Sequence, residues 1–324
     1  MLNNIMDLIN YCKGKPCYIQ THNFPDPDAI ASAFGLQRLF SYFGAETKIG
    51  YYGNVDRISL QKMQSCLGIK IYSYDELKPE LSEDDYIICV DSQKNAGNIL
   101  DFVGDEIASI DHHPTFKEVD YLFKDIRFYG SCSTIIVSYY KELGVPMEKD
   151  VATALLYGLK MDTLHFKRGV TMEDIKAFEY LFPLCDEELI SNLEKNNLEF
   201  EDLKSYGSAI ETIRLFGKTG FAHMPFPCPD AQIAIVSDFI LSLEEVEVSI
   251  IYSYRDNGIK FSVRSEDNEI DAGKLVNLAL KGVGSGGGHS SMAGGFICEK
   301  NLSLLGSFPD NAIEELFLGA IEGI

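Results

Sequence analysis

Short apolar runs of strand length alternate, over the first half of the chain, with longer segments whose apolar residues recur at helical spacing. The runs at 17–21, 47–52, 86–90 and 107–110 predict strands, and 29–40 and 151–160 predict helices. Tyr86-Ile87-Ile88-Cys89-Val90 is nearly continuous in its apolar character, as expected of a strand buried on both faces of a parallel sheet. Strands alternating with helices argue for an α/β domain with a mostly parallel sheet covered on both sides. From 186 to about 213 the chain is polar, with Leu189, Leu193, Leu198 and Leu203 near helical spacing, which predicts a helical connector. A smaller α/β domain follows. It contains an alternating strand at 217–222, a β-rich run at 231–236, and a hairpin in which 248–254 and 259–263 flank Arg255-Asp256-Asn257-Gly258; Asn-Gly is a strong tight-turn signal. The expected boundaries are therefore 1–185, 186–213 and 214–324.

The predicted strands end in unusual company. The first runs into His22-Asn23-Phe24-Pro25-Asp26-Pro27-Asp28, the third into Asp91, and the fourth into Asp111-His112-His113, while the helix at 151–160 leads to Asp162-Thr163. Parallel strands gather their carboxyl ends along one edge, the place where open α/β sheets bind ligands. Each aspartate taken alone could cap a helix. Taken together, so many carboxylates at one edge repel one another and raise each other's pKa unless cations sit among them. Mixed carboxylates and imidazoles without thiolates suit a divalent ion such as Mn²⁺, ahead of Mg²⁺ or Zn²⁺. Five or six such donors exceed the need of one ion. A pair about 3.5–4 Å apart is the arrangement that activates water for attack on phosphorus.

A second feature is Gly282-Val283-Gly284-Ser285-Gly286-Gly287-Gly288-His289, followed by Ser290-Ser291-Met292-Ala293. Glycines let a backbone approach a phosphate closely, and 290–293 could open a helix whose positive end adds attraction; the alternative is a flexible linker. Arg264, on an otherwise apolar strand, is either an ion-pair partner or a phosphate fork.

Composition narrows the partners. The chain has 324 residues, suited to two domains, with 46% hydrophobic residues and a net charge of −21 from 49 acidic and 28 basic side chains. Proteins that hold long nucleic acids neutralise phosphates with basic stripes, so a grip on long DNA or RNA is not expected. A substrate of one to a few nucleotides is compatible. No apolar run reaches the roughly 18 residues of a membrane span, and no secretory signal is visible at the N-terminus. The eight cysteines are scattered without a Cys-x-x-Cys pair, consistent with a reducing, cytoplasmic setting.

The order and spacing of these motifs resemble the DHH family of phosphoesterases, with Asp111-His112-His113 as its naming triplet. Residues 22–33 match its first motif, Val90-Asp91-Ser92 its second and Asp162-Thr163 its fourth, while Gly286-Gly287-Gly288-His289 and Arg264 resemble the accompanying DHHA1 domain. The subgroup resembled is the nano-RNase and pAp-phosphatase type, although Met161 and Leu164 stand where that subgroup usually has threonine and glycine. The resemblance implies two divalent ions, Mn²⁺ first, with Mg²⁺ or Co²⁺ as alternatives. His22, Asp26 and Asp91 would hold one; Asp28, Asp91, His112 and Asp162 the other, with Asp91 bridging. His113 would face the scissile phosphate as a general acid, oriented with its neighbour by Asp111. Arg264, Gly286, Gly287, Gly288 and His289 would hold substrate phosphate. It further implies a short oligonucleotide or nucleotide substrate, and a homodimer is compatible with it. The rival activities are cyclic- or linear-dinucleotide phosphodiesterase, inorganic pyrophosphatase, and a nucleotide sensor without catalysis.

Overall fold

In the computed structural model, which describes residues 2–55, 58–115, 117–195, 200–288 and 290–323, the chain divides into two units, Met1–Asn197 and Leu198–Ile324. In chain order the first contains α1 (Ile5–Cys12), β1 (Cys17–Gln20), α2 (Pro27–Tyr42), β2 (Lys48–Tyr51), α3 (Ile58–Leu67), β3 (Ile71–Ser73), α4 (Tyr74–Leu77), β4 (Tyr86–Val90), β5 (Asp105–Asp111) and β6 (Phe123–Ile126). Helices α5 (Cys132–Leu143), α6 (Lys149–Asp162), α7 (Met172–Leu181) and α8 (Glu187–Glu194) complete it.

Its six strands form one parallel sheet in the order β3-β2-β1-β4-β5-β6. The apolar runs at β1, β4 and β5 are buried almost throughout, the result expected of strands covered on both faces. The order in which successive strands are added reverses between β1 and β4, the switch point where the loops leaving two neighbouring strands diverge and open a crevice. Strands β3 and β6, which the apolar pattern did not reveal, are the sheet edges. Neither is continuously buried, so neither carries the hydrophobic run that marks a central strand.

Packing of α2 against α6 brings two site-bearing segments together, and Gly158 permits it. A Cβ there would stand 2.8 Å from Ser133 Oγ and 3.0 Å from Asp28 Cα, tighter than carbon contacts allow. Ile136, Leu155, Phe34 and Leu36 fill the surrounding core.

The second unit contains α9 (Asp202–Thr212), β7 (Arg214–Phe216), β8 (Thr219–Met224), α10 (Asp230–Leu241), β9 (Val248–Arg255) and β10 (Gly258–Ser265). These are followed by α11 (Ala272–Ala279), β11 (Ser285–Gly288), β12 (Met292–Cys298), a 3₁₀ turn over Glu299–Leu305, and α12 (Pro309–Glu322). Its mixed sheet runs β11-β12-β10-β9-β8-β7, with only β8 and β9 parallel. Of the segment expected to connect the domains, α8 contributes Ile190 and Leu193 to the first core and α9 contributes Ala209 to a core of the second; Leu198 lies outside the described residues.

Four expectations are corrected. The run at 231–236 is helical, the interior of α10: Ile233, Val236 and Ile240 are buried at helical spacing, a period that a six-residue window cannot distinguish from a strand. The strand expected at 217–222 is present as β8 but displaced to Thr219–Met224, with Gly217 (φ +58°) in the turn that joins it to β7. The β9–β10 hairpin is present, but Arg255 pairs with Gly258, so Asp256-Asn257 form the turn. Residues 290–293 begin no helix; Met292 and Ala293 open β12, which pairs with both β11 and β10. The backbone of 285–288 is thereby an edge strand, because pairing with β12 satisfies peptide groups that a loop would leave to solvent.

Gly258 is confined by this sheet. Its φ is +144°, and a Cβ would lie 2.0 Å from Ile297 O on β12. Gly258→Ala is expected to lower stability by about 2–4 kcal/mol through overlap and backbone strain, read as an earlier urea midpoint of the full chain; an unchanged midpoint would refute that account.

Candidate metal centre

Each donor is set by a local feature of its element. Asp26 is the N-cap of α2: its Oδ1 accepts from the N–H groups of Asp28 and Ala29, both at 3.0 Å, and Pro27 stands at the first helical position, where its lack of an N–H costs nothing. Asp28, two residues on in the first turn of α2 and inaccessible to solvent, accepts from Cys132 N–H at 2.7 Å and Ser133 N–H at 3.0 Å. The first turn of α5 thus spends two otherwise unpaired donors on this carboxylate. Asp91 follows β4 with φ +55°, a left-handed conformation that aspartate tolerates better than most residues. His112 and His113 follow the last residue of β5, and Asp162 ends α6.

These segments converge. Potential ligand atoms of His22, Asp26 and Asp91 lie within 4.8 Å of one another, as do those of Asp28, His112 and Asp162, and those of Asp91, Asp111, His112 and His113. His22 Nε2 is 3.6 Å from Asp91 Oδ2 and 3.9 Å from Asp26 Oδ1. His112 Nε2 is 3.3 Å from Asp91 Oδ1 and 3.2 Å from Asp162 Oδ2. Both rings are oriented from behind, His22 Nδ1 donating to Asn23 O at 2.9 Å and His112 Nδ1 to Tyr129 O at 3.0 Å. This leaves Nε2 of each directed at the carboxylates, the tautomer control usual for ligating histidines.

Two buried atoms of the cluster, Asp91 Oδ1 and His112 Nε2, have no hydrogen-bond partner among the described residues. An unmet buried polar group costs about 1–3 kcal/mol, and native structures seldom leave two side by side. A cation between them would satisfy both, so the residues fit the divalent ions that the motifs imply. The donor set of oxygens with two imidazoles matches borderline-hard ions such as Mn²⁺.

The titration behaviour of the metal-free cluster has the same origin. Burial, reinforced by Asp91 and Asp162, raises the Asp28 carboxyl well above its ordinary range. Burial likewise pushes Asp162 up to about 6, with Asp26 and Asp91 adding to it against the pull of His112 and Arg168. For His22, burial acts downward, but Asp26 and Asp91 outweigh it and hold the imidazole up to about 10. His112 is raised in the same way, burial being overcome by Asp91, Asp162 and Asp28. Protons on these rings and cations would compete for the same carboxylates.

His113 is arranged differently. Its Nδ1 is 2.8 Å from Asp111 Oδ1, and that oxygen also accepts from the N–H groups of His112 at 2.8 Å and His113 at 3.2 Å. Burial acts to raise Asp111, yet its bonds to His113 and Gln93 hold it below its ordinary value. Sequence reasoning missed Gln93, and it missed Arg168, which donates to Asp162 O at 2.9 Å and lies 3.7 Å from Asp162 Oδ1. No periodicity marks either; only proximity to Asp91 and Asp162 in the chain could have pointed to them.

In the second unit, Arg264 on β10 donates through Nε to Asp238 Oδ1 at 2.6 Å and through Nη1 to Ser262 Oγ at 3.1 Å. Gly286, Gly287 and Gly288 lie on the edge strand β11, and His289 lies outside the described residues. Among the described residues, no helix is long and apolar enough to cross a membrane.

Known proteins share this organisation. An uncharacterized protein of Methanocaldococcus jannaschii is 28% identical over 87% of this chain; the chain spans 58% of that relative's length. A bifunctional oligoribonuclease and PAP phosphatase of Thermus thermophilus is 26% identical, with 86% of this chain and 83% of the relative covered. The crystal structure of an exopolyphosphatase-related protein from Bacteroides fragilis superposes with a TM-score of 0.76 at 20% identity, covering 95% of this chain and 94% of that one. The DHH family N-terminal domain matches residues 16–159 and the DHHA1 domain residues 220–315. The chain belongs to the DHH/DHHA1 family of metal-dependent phosphoesterases.

Proposed function

We propose that this phosphoesterase hydrolyses short oligonucleotides and small nucleotide phosphates such as pAp, using two divalent ions, Mn²⁺ foremost. The observation that carries the reading is the pair of donor groups, His22/Asp26/Asp91 and Asp28/His112/Asp162, joined through Asp91 Oδ1 and His112 Nε2, which lie 3.3 Å apart with no hydrogen bond to either among the described residues. The likeness to an oligoribonuclease and PAP phosphatase and the net charge of −21 favour a substrate of one to a few nucleotides over long nucleic acid.

Two bound divalent ions supply an activated water and neutralise charge at phosphorus. The chain's own residues do the rest. His22, Asp26 and Asp91 would hold one ion, and Asp28, His112 and Asp162, with Asp91, would hold the other. Because His113 commits Nδ1 to Asp111, it delivers a proton to the leaving oxygen from Nε2, a general-acid role. In the second unit, Arg264, Gly286, Gly287, Gly288 and His289 are the residues proposed to bind phosphate; for Arg264 this means exchanging its bond to Asp238. The products are a nucleoside 5′-phosphate and a shortened oligonucleotide, or AMP and inorganic phosphate from pAp.

A substrate panel with Mn²⁺ and with chelator tests the reading. Turnover of pAp, pApA and short RNA is expected to exceed that of pyrophosphate and cyclic dinucleotide by about tenfold or more, or ~1.4 kcal/mol in barrier, and to vanish with chelator. Pyrophosphate as the fastest substrate would overturn it.

A further inference from the structure

Gln93 stands two residues beyond Asp91, buried, and belongs to none of the donor groups. Both ends of its carboxamide are engaged. Nε2 donates to Asp111 Oδ2 at 2.8 Å and to His113 O at 3.1 Å, while Oε1 accepts from Thr115 Oγ1 at 2.8 Å. One side chain from the exit of β4 thereby ties down residues 111, 113 and 115 at the exit of β5. Its orientation follows from chemistry: an ionised carboxylate only accepts, so the amide nitrogen must face Asp111, and the threonine hydroxyl then donates to the amide oxygen.

This arrangement constrains a rotation. Three donors hold Asp111 Oδ1, namely two backbone N–H groups and His113 Nδ1, and Gln93 Nε2 holds Oδ2, so rotation about the Cβ–Cγ bond would break contacts at both oxygens. Gln93 supplies the hold on Oδ2, and Thr115 stops its amide from flipping. We infer that Gln93 is a positioning residue that, through Asp111, fixes the direction in which the His113 imidazole presents its other nitrogen to a phosphate ester. The inference rests on the phosphoesterase reading of the site.

The test uses the full chain and the best substrate of the panel. Gln93→Met keeps the volume and removes both polar ends; Thr115→Val removes only the hydroxyl that holds the amide. Misdirection of a catalytic group by about 1 Å costs on the order of a hundredfold. Gln93→Met is therefore expected to lower kcat about ten- to hundredfold, with KM and Mn²⁺ stoichiometry nearly unchanged. Thr115→Val should show a smaller loss of kcat, and the double variant should be no worse than Gln93→Met, because both act through one chain of bonds. In the metal-free protein the downfield Nδ1–H resonance of His113 should broaden or vanish in both single variants. An unchanged kcat, or losses that multiply in the double variant, would overturn the inference. Should Gln93→Met fail to fold, Thr115→Val decides alone by the same kcat criterion. Should wild-type protein turn over nothing in the panel, the phosphoesterase reading fails, and the His113 resonance still decides the role of Gln93: its persistence in the variants would overturn that role.

Discussion

Asp91→Asn is expected to reduce turnover by about a thousandfold or more, equivalent to ~4 kcal/mol in the barrier, while leaving the fold in place. Asp91 belongs to two of the three donor groups, its Oδ2 facing His22 and its Oδ1 facing His112, so the substitution takes a negative charge and one carboxylate oxygen out of the middle of the centre. Asparagine is the informative replacement. The backbone at position 91 has φ +55°, which asparagine adopts readily and alanine does not, so the loss cannot be assigned to strain. Circular dichroism and Mn²⁺ binding measured beside kcat would separate the two causes. Wild-type turnover in Mn²⁺ would refute the bridging role.

The second large effect is an opposition between the pH dependence of the metal-free and the Mn²⁺-loaded protein. Asp162 is raised from 3.8 to about 6 and His22 from 6.5 to about 10. A group whose folded pKa is raised stabilises the fold in its protonated form. The Asp162 contribution is complete below about pH 4 and lost as pH rises through about 6; that of His22 is complete below about 6.5 and lost as pH rises through about 10. Metal-free protein should therefore lose these contributions steadily from pH 5 to 9. Mn²⁺ must displace the same protons, so its affinity should climb about tenfold per pH unit for each proton displaced, and the rise in Tm on adding Mn²⁺ should widen over the same range. Thermal melts with Mn²⁺ and with chelator at pH 5.5, 7 and 8.5 read both slopes. A Mn²⁺-induced shift that shrinks with rising pH would show that protons and metal do not compete here.

The chemistry of the site was more legible than the architecture around it. Tyr86–Val90 is buried except at its first residue, and its apolar run reads as a strand from composition alone, so Asp91 could be placed at a strand end without coordinates. The same holds for Ile107–Ile110 and Asp111. These are positions where burial on both faces leaves only one kind of side chain and chemistry begins where the run stops. Elsewhere the signal was ambiguous for physical reasons. Residues 231–236 are too few for a helical period to differ from a strand's. Met292 and Ala293 are in β12 because β11 and β10 offer partners on either side, a circumstance contained in residues far from them. Gln93 was invisible because its role depends on Asp111 and Thr115 arriving opposite it, which only the pairing of β4 with β5 arranges.

The central claim is that four separate segments of the first unit hold two divalent ions with Asp91 shared between them. Anomalous diffraction at the manganese edge from crystals soaked in Mn²⁺ tests it most directly. Two peaks about 3.5–4 Å apart, one beside His22 and Asp26, the other beside Asp28, His112 and Asp162, with Asp91 touching both, is the predicted result. A single peak, or peaks away from these side chains, would contradict it.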